Sequence, residues 1–362
     1  MEFVDASDLV KPAKLQQGDK VATVTLSWGG AGDLLYRYEI GKGRLSTEFG
    51  LEAEPTTYSL MSSEWIKDNP EARANDLMDA FRDPSVKAII CNIGGDDSIR
   101  LLPYIDYDII RENPKIFMGF SDSTVVHFIC LKAGLSSVYG PALLTAFSEN
   151  MGMHEYTVRG LKKTLFRAVD PIGVIPENAD GWTAEFLDWS LPGNQSTRRE
   201  LQPSYPWRYI GKVDATVQGR LIGGCVQVLQ WITGTVIWPP VERWENSILF
   251  LETSEEIVTP LFLARFLRSL AAQNILQKVT GILFGKPGGH LTDEKFEEYE
   301  KSFLDIYHEY RLPPVPIVCG MSFGHTDPFW PLPIGCMAEI NPVARTVSVL
   351  EAAVLEPDLP SY

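Results

Sequence analysis

The chain has no basic tract, and its formal net charge is -15. An acidic surface repels phosphate backbones, which argues against nucleic acid as a main partner. No apolar run approaches the roughly 20 residues that cross a bilayer, so no membrane span is expected. The opening "MEFVDASDLVKPAKL" lacks a charged-then-apolar leader. Cysteine is scarce: Cys91, Cys130, Cys225, Cys319 and Cys336 form no CxxC pair. Each lies in an apolar run, where a free thiol behaves as a small core residue. This odd, unpatterned set argues against a disulfide framework and for a reducing, cytoplasmic setting. Metal-ligand spacing, internal repeats and low-complexity tracts are also absent.

What is present is an ordinary globular composition, 45% hydrophobic and 22% charged, over 362 residues. That length suits two domains. The first half alternates β-branched runs with helical patterns. Strands are expected at 20–27, 85–95, 114–121 and 135–144. "NPEARANDLMDAFRDP" predicts a helix with Asn69 as cap and Pro70 at its first position. Such alternation implies a doubly wound, mostly parallel sheet. Residues 168–210 are rich in Pro, Gly, Asn and Trp, with little periodicity, and read as a linker or functional loop. The second half predicts a β-rich α+β domain, with a Gly-rich helix start at "GRLIGGCVQVLQWITGT" and a strand at "NSILFLETSEE". The expected division is 1–167, 168–210 and 211–362.

The first candidate site residue is Ser121 in "KIFMGFSDSTVVHF", where an apolar run meets an amphipathic stretch. A serine in a sharp strand-to-helix turn is exposed at the carboxyl end of a sheet, beside free helix N–H groups. The Asp122 amide is then a candidate oxyanion donor. The alternative is a plain N-cap serine, with Asp122 favoured by the helix dipole. His127 lies more than a turn and a half along the helix and cannot reach back to that hydroxyl. His154 and His308 read as surface residues, and His290 is a weaker loop candidate. His325, in "CGMSFGHTDPFWP", follows a strand directly and is the candidate general base. Glu252 ends the apolar run of "SILFLE", and a carboxylate there is costly unless paired. Glu255 and Glu256 read as solvated. "CNIGGDDSIRLLPYID" offers Gly94 and Gly95 at another strand end, with Gly95 as a second oxyanion donor. The rival reading of this turn is a phosphate cradle, since "GGDDS" resembles the GGDG turn of NAD and diacylglycerol kinases. A non-catalytic nucleotide-binding module is a further alternative.

In order, "NIGGDDSIRLLPYID", "MGFSDST", "GRLIGG", "LFLETSEE" and "FGHTDP" resemble the LD-carboxypeptidase family of serine peptidases, the S66 type. The resemblance spans roughly Val21 to Pro328. It implies a Ser-Glu-His triad split across two domains, with Ser121 as nucleophile, Glu252 as orienting acid and His325 as base. It also implies a nucleotide-binding-like α/β domain, a β-rich second domain, a frequent homodimer, and no cofactor or metal.

The family has two branches. One trims terminal D-alanine from the tetrapeptide of cytoplasmic murein fragments. The other resembles the microcin C self-immunity protein, which cuts an amide between a peptide and a modified adenylate. The chain length, "LETSEE" in place of "LED", and the aromatic region point to the second. That region holds Trp182, Trp189, Tyr205, Trp207 and Tyr209. An aromatic there can stack on a base or simply pack the loop. Trp182, after the turn "ENADGW", is the expected substrate-binding residue. The expected partner is a small peptide or peptidyl-nucleotide.

Overall fold

The computed structural model describes residues 2–4, 8–256, 258–289, 291 and 293–357. The early apolar runs become short strands: β1 (Lys20–Val24), β2 (Glu52–Pro55), β3 (Val86–Cys91), β4 (Ile116–Gly119) and β5 (Ser137–Tyr139). They pair in parallel in the order β5-β4-β3-β1-β2. Every residue of β4 and β5 is buried, as helical cover on both faces requires.

The remaining strands are β6 (Gly173–Val174), β7 (Arg208–Ile210), β8 (Val217–Cys225), β9 (Ser247–Glu252), β10 (Val279–Gly285), β11 (Ile317–Met321), β12 (Leu332–Ile334), β13 (Met337–Asn341) and β14 (Thr346–Val349). A second sheet has the order β6-β14-β13-β8-β9-β10-β11-β7. Its centre, β8 to β11, is parallel and its flanks are antiparallel. The result is a two-domain α/β fold with a mostly parallel first sheet and a mixed second one, as expected.

The chain does not divide as cleanly as three blocks. Segment 168–210 supplies both edge strands of the second sheet, β6 and β7. Late in the chain, β12 returns to the first sheet and pairs antiparallel with β5. Apolar clusters also run through both halves: Val24, Ile89 and Val125 share one with Ile222, Leu249 and Leu251. Among the described residues, no helix is long and apolar enough to cross a membrane.

Three local expectations are corrected. "GRLIGGC" is the carboxyl half of β8, and the helix begins only at Val226. The glycines serve close strand packing, since a Cβ on Gly223 would sit 1.8 Å from the Phe250 carbonyl. Asn69 makes no side-chain cap; its amide donates back to the Trp65 carbonyl at 2.8 Å. Helix Thr124–Ala133 is buried on all sides rather than amphipathic, because it is packed into that shared apolar cluster.

Candidate active site

β4 ends at Gly119, and the chain reverses sharply at Ser121. That residue has φ of 61°, a left-handed conformation that an L-residue adopts only at a cost. The turn is held from several sides. The Ser121 amide donates to Tyr139 Oη at 3.1 Å, and the Ser121 carbonyl accepts from Thr124 Oγ1 at 2.7 Å. Thr124 Oγ1 also accepts the Cys225 amide at 3.2 Å, which ties the turn to β8. A plain N-cap reading does not fit, because Ser121 makes no cap bond to the helix.

Glu252 is the last residue of β9 and has no solvent exposure. One of its oxygens lies 2.6 Å from His325 Nδ1, and the other accepts from Tyr139 Oη at 2.5 Å. The buried carboxylate is thereby paired on both oxygens, as its position demanded. His325 follows β11, and its imidazole is 7% exposed. Its Nε2 lies 3.0 Å from Ser121 Oγ. Gly324 makes this approach possible. It sits at φ of 97°, and a Cβ there would fall 2.7 Å from the Glu252 side chain. Phe120 packs on the imidazole with ring centres 4.9 Å apart. Serine, histidine and glutamate from three strand ends in two sheets are therefore in one hydrogen-bonded line.

Burial alone would push the His325 pKa down. The charge of Glu252 and its hydrogen bond outweigh that, with smaller contributions from Glu255 and Asp327, and the net shift is upward. The Glu252 contact at Nδ1 is the shorter and the buried one, so Nδ1 holds the proton of a neutral imidazole and Nε2 faces the serine hydroxyl.

Gly94 lies against the serine: a Cβ there would be 2.9 Å from Ser121 Cβ. The next amides, of Asp96 and Asp97, donate to Ser27 Oγ. Gly95, between them and Gly94, sits at φ of 146° and packs against Ser27. The Ser121 and Ser123 amides are taken by Tyr139 and the Phe120 carbonyl. The Asp122 amide, next along the chain from the serine, is the remaining candidate donor of this turn. The Asp122 side chain does something else. It is buried, accepts the Ser98 amide at 2.8 Å, and burial raises its pKa.

The acidic pair in "GGDDS" is not arranged for phosphate. Asp97 pairs with the fully buried Arg73 at 2.6 Å and with Arg100 at 2.9 Å. Among the described residues, no group of three His, Cys, Asp or Glu is placed to hold a metal. His127 is fully buried, with Nε2 on the Gly119 carbonyl and Nδ1 on Ser137 Oγ, and burial lowers its pKa to about 4. Both ring nitrogens are taken up at the strand end, so neither serves the serine hydroxyl. His154 is only half-buried near Glu149, and His308 is exposed, while His290 lies outside the described residues.

Trp182 is not presented at a domain edge. It is 4% exposed and packs on Phe296, beside Tyr205, in a small satellite cluster. An indole enclosed in this way has no free face for a base. Tyr205 and Trp207 are buried too. Within the loop, Trp189 is half-buried under the Arg37 guanidinium, 4.2 Å from its ring centre, and Phe186 beside it is 62% exposed. The loop backbone is paired with the chain two residues past the histidine, through reciprocal Thr183 and Asp327 amide–carbonyl bonds. Arg199 reinforces the clamp by pairing with Glu149 and with Asp327 at 2.5 Å.

Sequence reasoning missed Tyr139, Arg199 and Asp327. It also took Glu255 as solvated. Glu255 is 74% exposed, yet its carboxylate lies 3.2 Å from His325 Nε2.

Comparison with known proteins places this geometry in context. The LD-carboxypeptidase N-terminal domain model matches residues 21–140, and the LD-carboxypeptidase C-terminal domain model matches 218–340. The chain is 29% identical to the Escherichia coli microcin C7 self-immunity protein MccF, over 77% of this chain and 78% of that protein. It is 30% identical to a Bacillus subtilis protein named "Probable murein peptide carboxypeptidase", over 81% and 80%. Among solved structures, an MccF-like protein from Streptococcus pneumoniae in complex with AMP superimposes with a TM-score of 0.79 at 30% identity, covering 92% of this chain and 99% of that one. MccF itself, in complex with aspartyl sulfamoyl adenosine, gives a TM-score of 0.80 at 26% identity, covering 95% and 99%.

Proposed function

The chain belongs to the LD-carboxypeptidase family of hydrolases, and on that premise we propose that it is a serine amidase acting through Ser121, His325 and Glu252. The observation that carries this reading is His325, which bridges Ser121 Oγ at Nε2 and Glu252 at Nδ1. In the proposed cycle, Nε2 takes the hydroxyl proton as Oγ attacks the substrate carbonyl. The amides of Asp122 and Gly95 donate to the resulting oxyanion. Glu252 holds the tautomer and stabilises the imidazolium. The C–N bond then breaks, and Nε2 gives its proton to the leaving amine. Water, deprotonated by the same nitrogen, attacks the acyl-enzyme and frees Ser121.

The proposed substrate is an aminoacyl or peptidyl group joined by an amide to a modified adenylate. Relatives of the same fold bind AMP and aspartyl sulfamoyl adenosine, which supports this class. On the same loop, Phe186 is exposed and Trp189, under Arg37 and against the core, is only partly open, so these are the aromatics left to meet a base. The second reading is release of terminal D-alanine from a murein tetrapeptide. It is favoured by the Bacillus subtilis relative, at similar identity. The family resemblance adds a homodimer, which light scattering on the purified protein checks.

One assay separates these readings. Wild type and Ser121→Ala are offered a peptidyl sulfamoyl adenylate and a murein tetrapeptide side by side. Cleavage of the first by wild type alone supports the adenylate reading. Cleavage of the tetrapeptide alone moves the protein to the carboxypeptidase branch.

A further inference from the structure

Two groups contest one nitrogen. His325 Nδ1 is committed to Glu252, so Nε2 alone serves the reaction. Ser121 Oγ lies 3.0 Å from Nε2, and the Glu255 carboxylate lies 3.2 Å from it. Acyl transfer needs a third occupant, because the leaving nitrogen must take its proton from the same Nε2. Glu255 therefore stands where the leaving group has to arrive.

The carboxylate lies at the solvent edge of that place. Thr253 and Ser254 are buried and held by the Gly288 amide and by Gln227. Glu255 is the first residue beyond that anchor, and its side chain is 74% exposed. Among the described residues no Lys or Arg pairs with it; its only ionic contact is His325. The described acids nearby do not supply a cation. Glu256 beside it is exposed, and Asp327, the other nearby acid, is already paired with Arg199. An exposed carboxylate beside Nε2 attracts a cation there and repels an anion.

We propose that Glu255 is a specificity-determining residue that selects substrates whose leaving group carries a positive charge, such as an ammonium, close to the scissile bond. This rests on Ser121 as nucleophile and His325 as proton donor. It narrows the substrate class: an adenylate or peptide amine bearing a cationic substituent is favoured over one that presents a bare carboxylate or phosphate to this rim.

The test uses three aryl phosphonates that differ only in the phenol they lose. The phenol carries an aminomethyl, a methyl or a carboxymethyl group. Each reaction forms an Oγ–P bond at Ser121, breaks the P–O bond to the phenol, and passes the serine proton through Nε2 to the phenoxide. Labelling rates are read by intact mass for wild type, Glu255→Gln and Glu255→Lys. Comparing ratios between variants cancels the intrinsic reactivity of the probes. For a solvated charge pair, each unit of charge is worth about two- to fivefold in rate. Wild type should label fastest with the cationic probe and slowest with the anionic one. Glu255→Gln should flatten the series, and Glu255→Lys should reverse it. Added salt should flatten the wild-type order as well. Identical ratios in wild type and Glu255→Gln, with Ser121 still labelled, would overturn the role of Glu255 alone. Absence of labelling at Ser121 with all three probes would overturn the nucleophile and this inference with it.

Discussion

Tyr139 donates its hydroxyl to Glu252, and the same oxygen accepts the amide of Ser121. One phenol thus links the proposed acid to the strained turn that carries the proposed nucleophile. Burial, and then the neighbouring carboxylate, push its pKa well above the ordinary tyrosine value, so it stays a donor throughout the working range. Tyr139→Phe leaves a buried carboxylate oxygen and a buried amide without a partner. Such losses cost about 1–3 kcal/mol each when the site cannot rehydrate. The expected result is a lower midpoint in urea unfolding and a kcat reduced by about tenfold or more, with KM little changed. A kcat equal to wild type would show that the phenol only fills space.

Arg199 joins the long loop to Glu149 and to Asp327, two residues beyond the histidine. Arg199→Met removes the cation and strands two largely buried carboxylates. Breaking a buried pair on one side costs about 3–5 kcal/mol. The loss should appear locally, as faster proteolysis between residues 183 and 200 and a raised KM. An unchanged cleavage pattern would mean that the Thr183–Asp327 backbone pairing suffices.

The pH dependence follows from the sign of the His325 shift. The base must be neutral to accept the serine proton, and its pKa is raised. Activity should therefore rise with pH along an acid limb lying above the ordinary histidine value of about 6.5. Glu255→Gln removes one carboxylate facing Nε2 and should move that limb down, with Glu252 and Asp327 still holding part of the shift. The same raised value stabilises the fold fully below about pH 6.5, and the contribution fades as pH climbs through the folded-state pKa. An acid limb unmoved in Glu255→Gln would show that Glu255 does not couple to the base.

The loop aromatics give a paired prediction. Trp189→Ala should raise KM for a sulfamoyl adenylate, since a lost base–aromatic stack is worth about 1–3 kcal/mol. It should barely affect a murein tetrapeptide. Trp182→Ala should instead lower stability by about 3–5 kcal/mol, because it empties a buried cluster. Equal KM losses on both substrates in Trp189→Ala would make that ring structural.

The strand-end residues were legible because their signals are local. Ser121, Glu252 and His325 each follow an apolar run that a few neighbours suffice to identify as a buried strand. The doubly wound first sheet was legible for the same reason. Partners made by tertiary packing left no such trace. Nothing near Tyr139 reveals that β5 will bring it beside β9, and nothing near Arg199 points to Asp327, 128 residues away. The irregular 168–210 segment has no periodicity to say which ring turns inward, so nothing local separates the enclosed Trp182 from the more open Trp189. The Gly-rich end of β8 resembles a helix start because its glycines serve a neighbouring strand, which no local pattern reveals.

The central claim is that Ser121 is a nucleophile activated by His325 and oriented by Glu252. Labelling with a fluorophosphonate, followed by peptide mapping, tests it most directly. The account predicts a single adduct on the peptide containing Ser121, lost in Ser121→Ala and slowed by two or more orders of magnitude in His325→Ala, about the loss expected for a general base. An adduct on another residue, or undiminished labelling in His325→Ala, would contradict it.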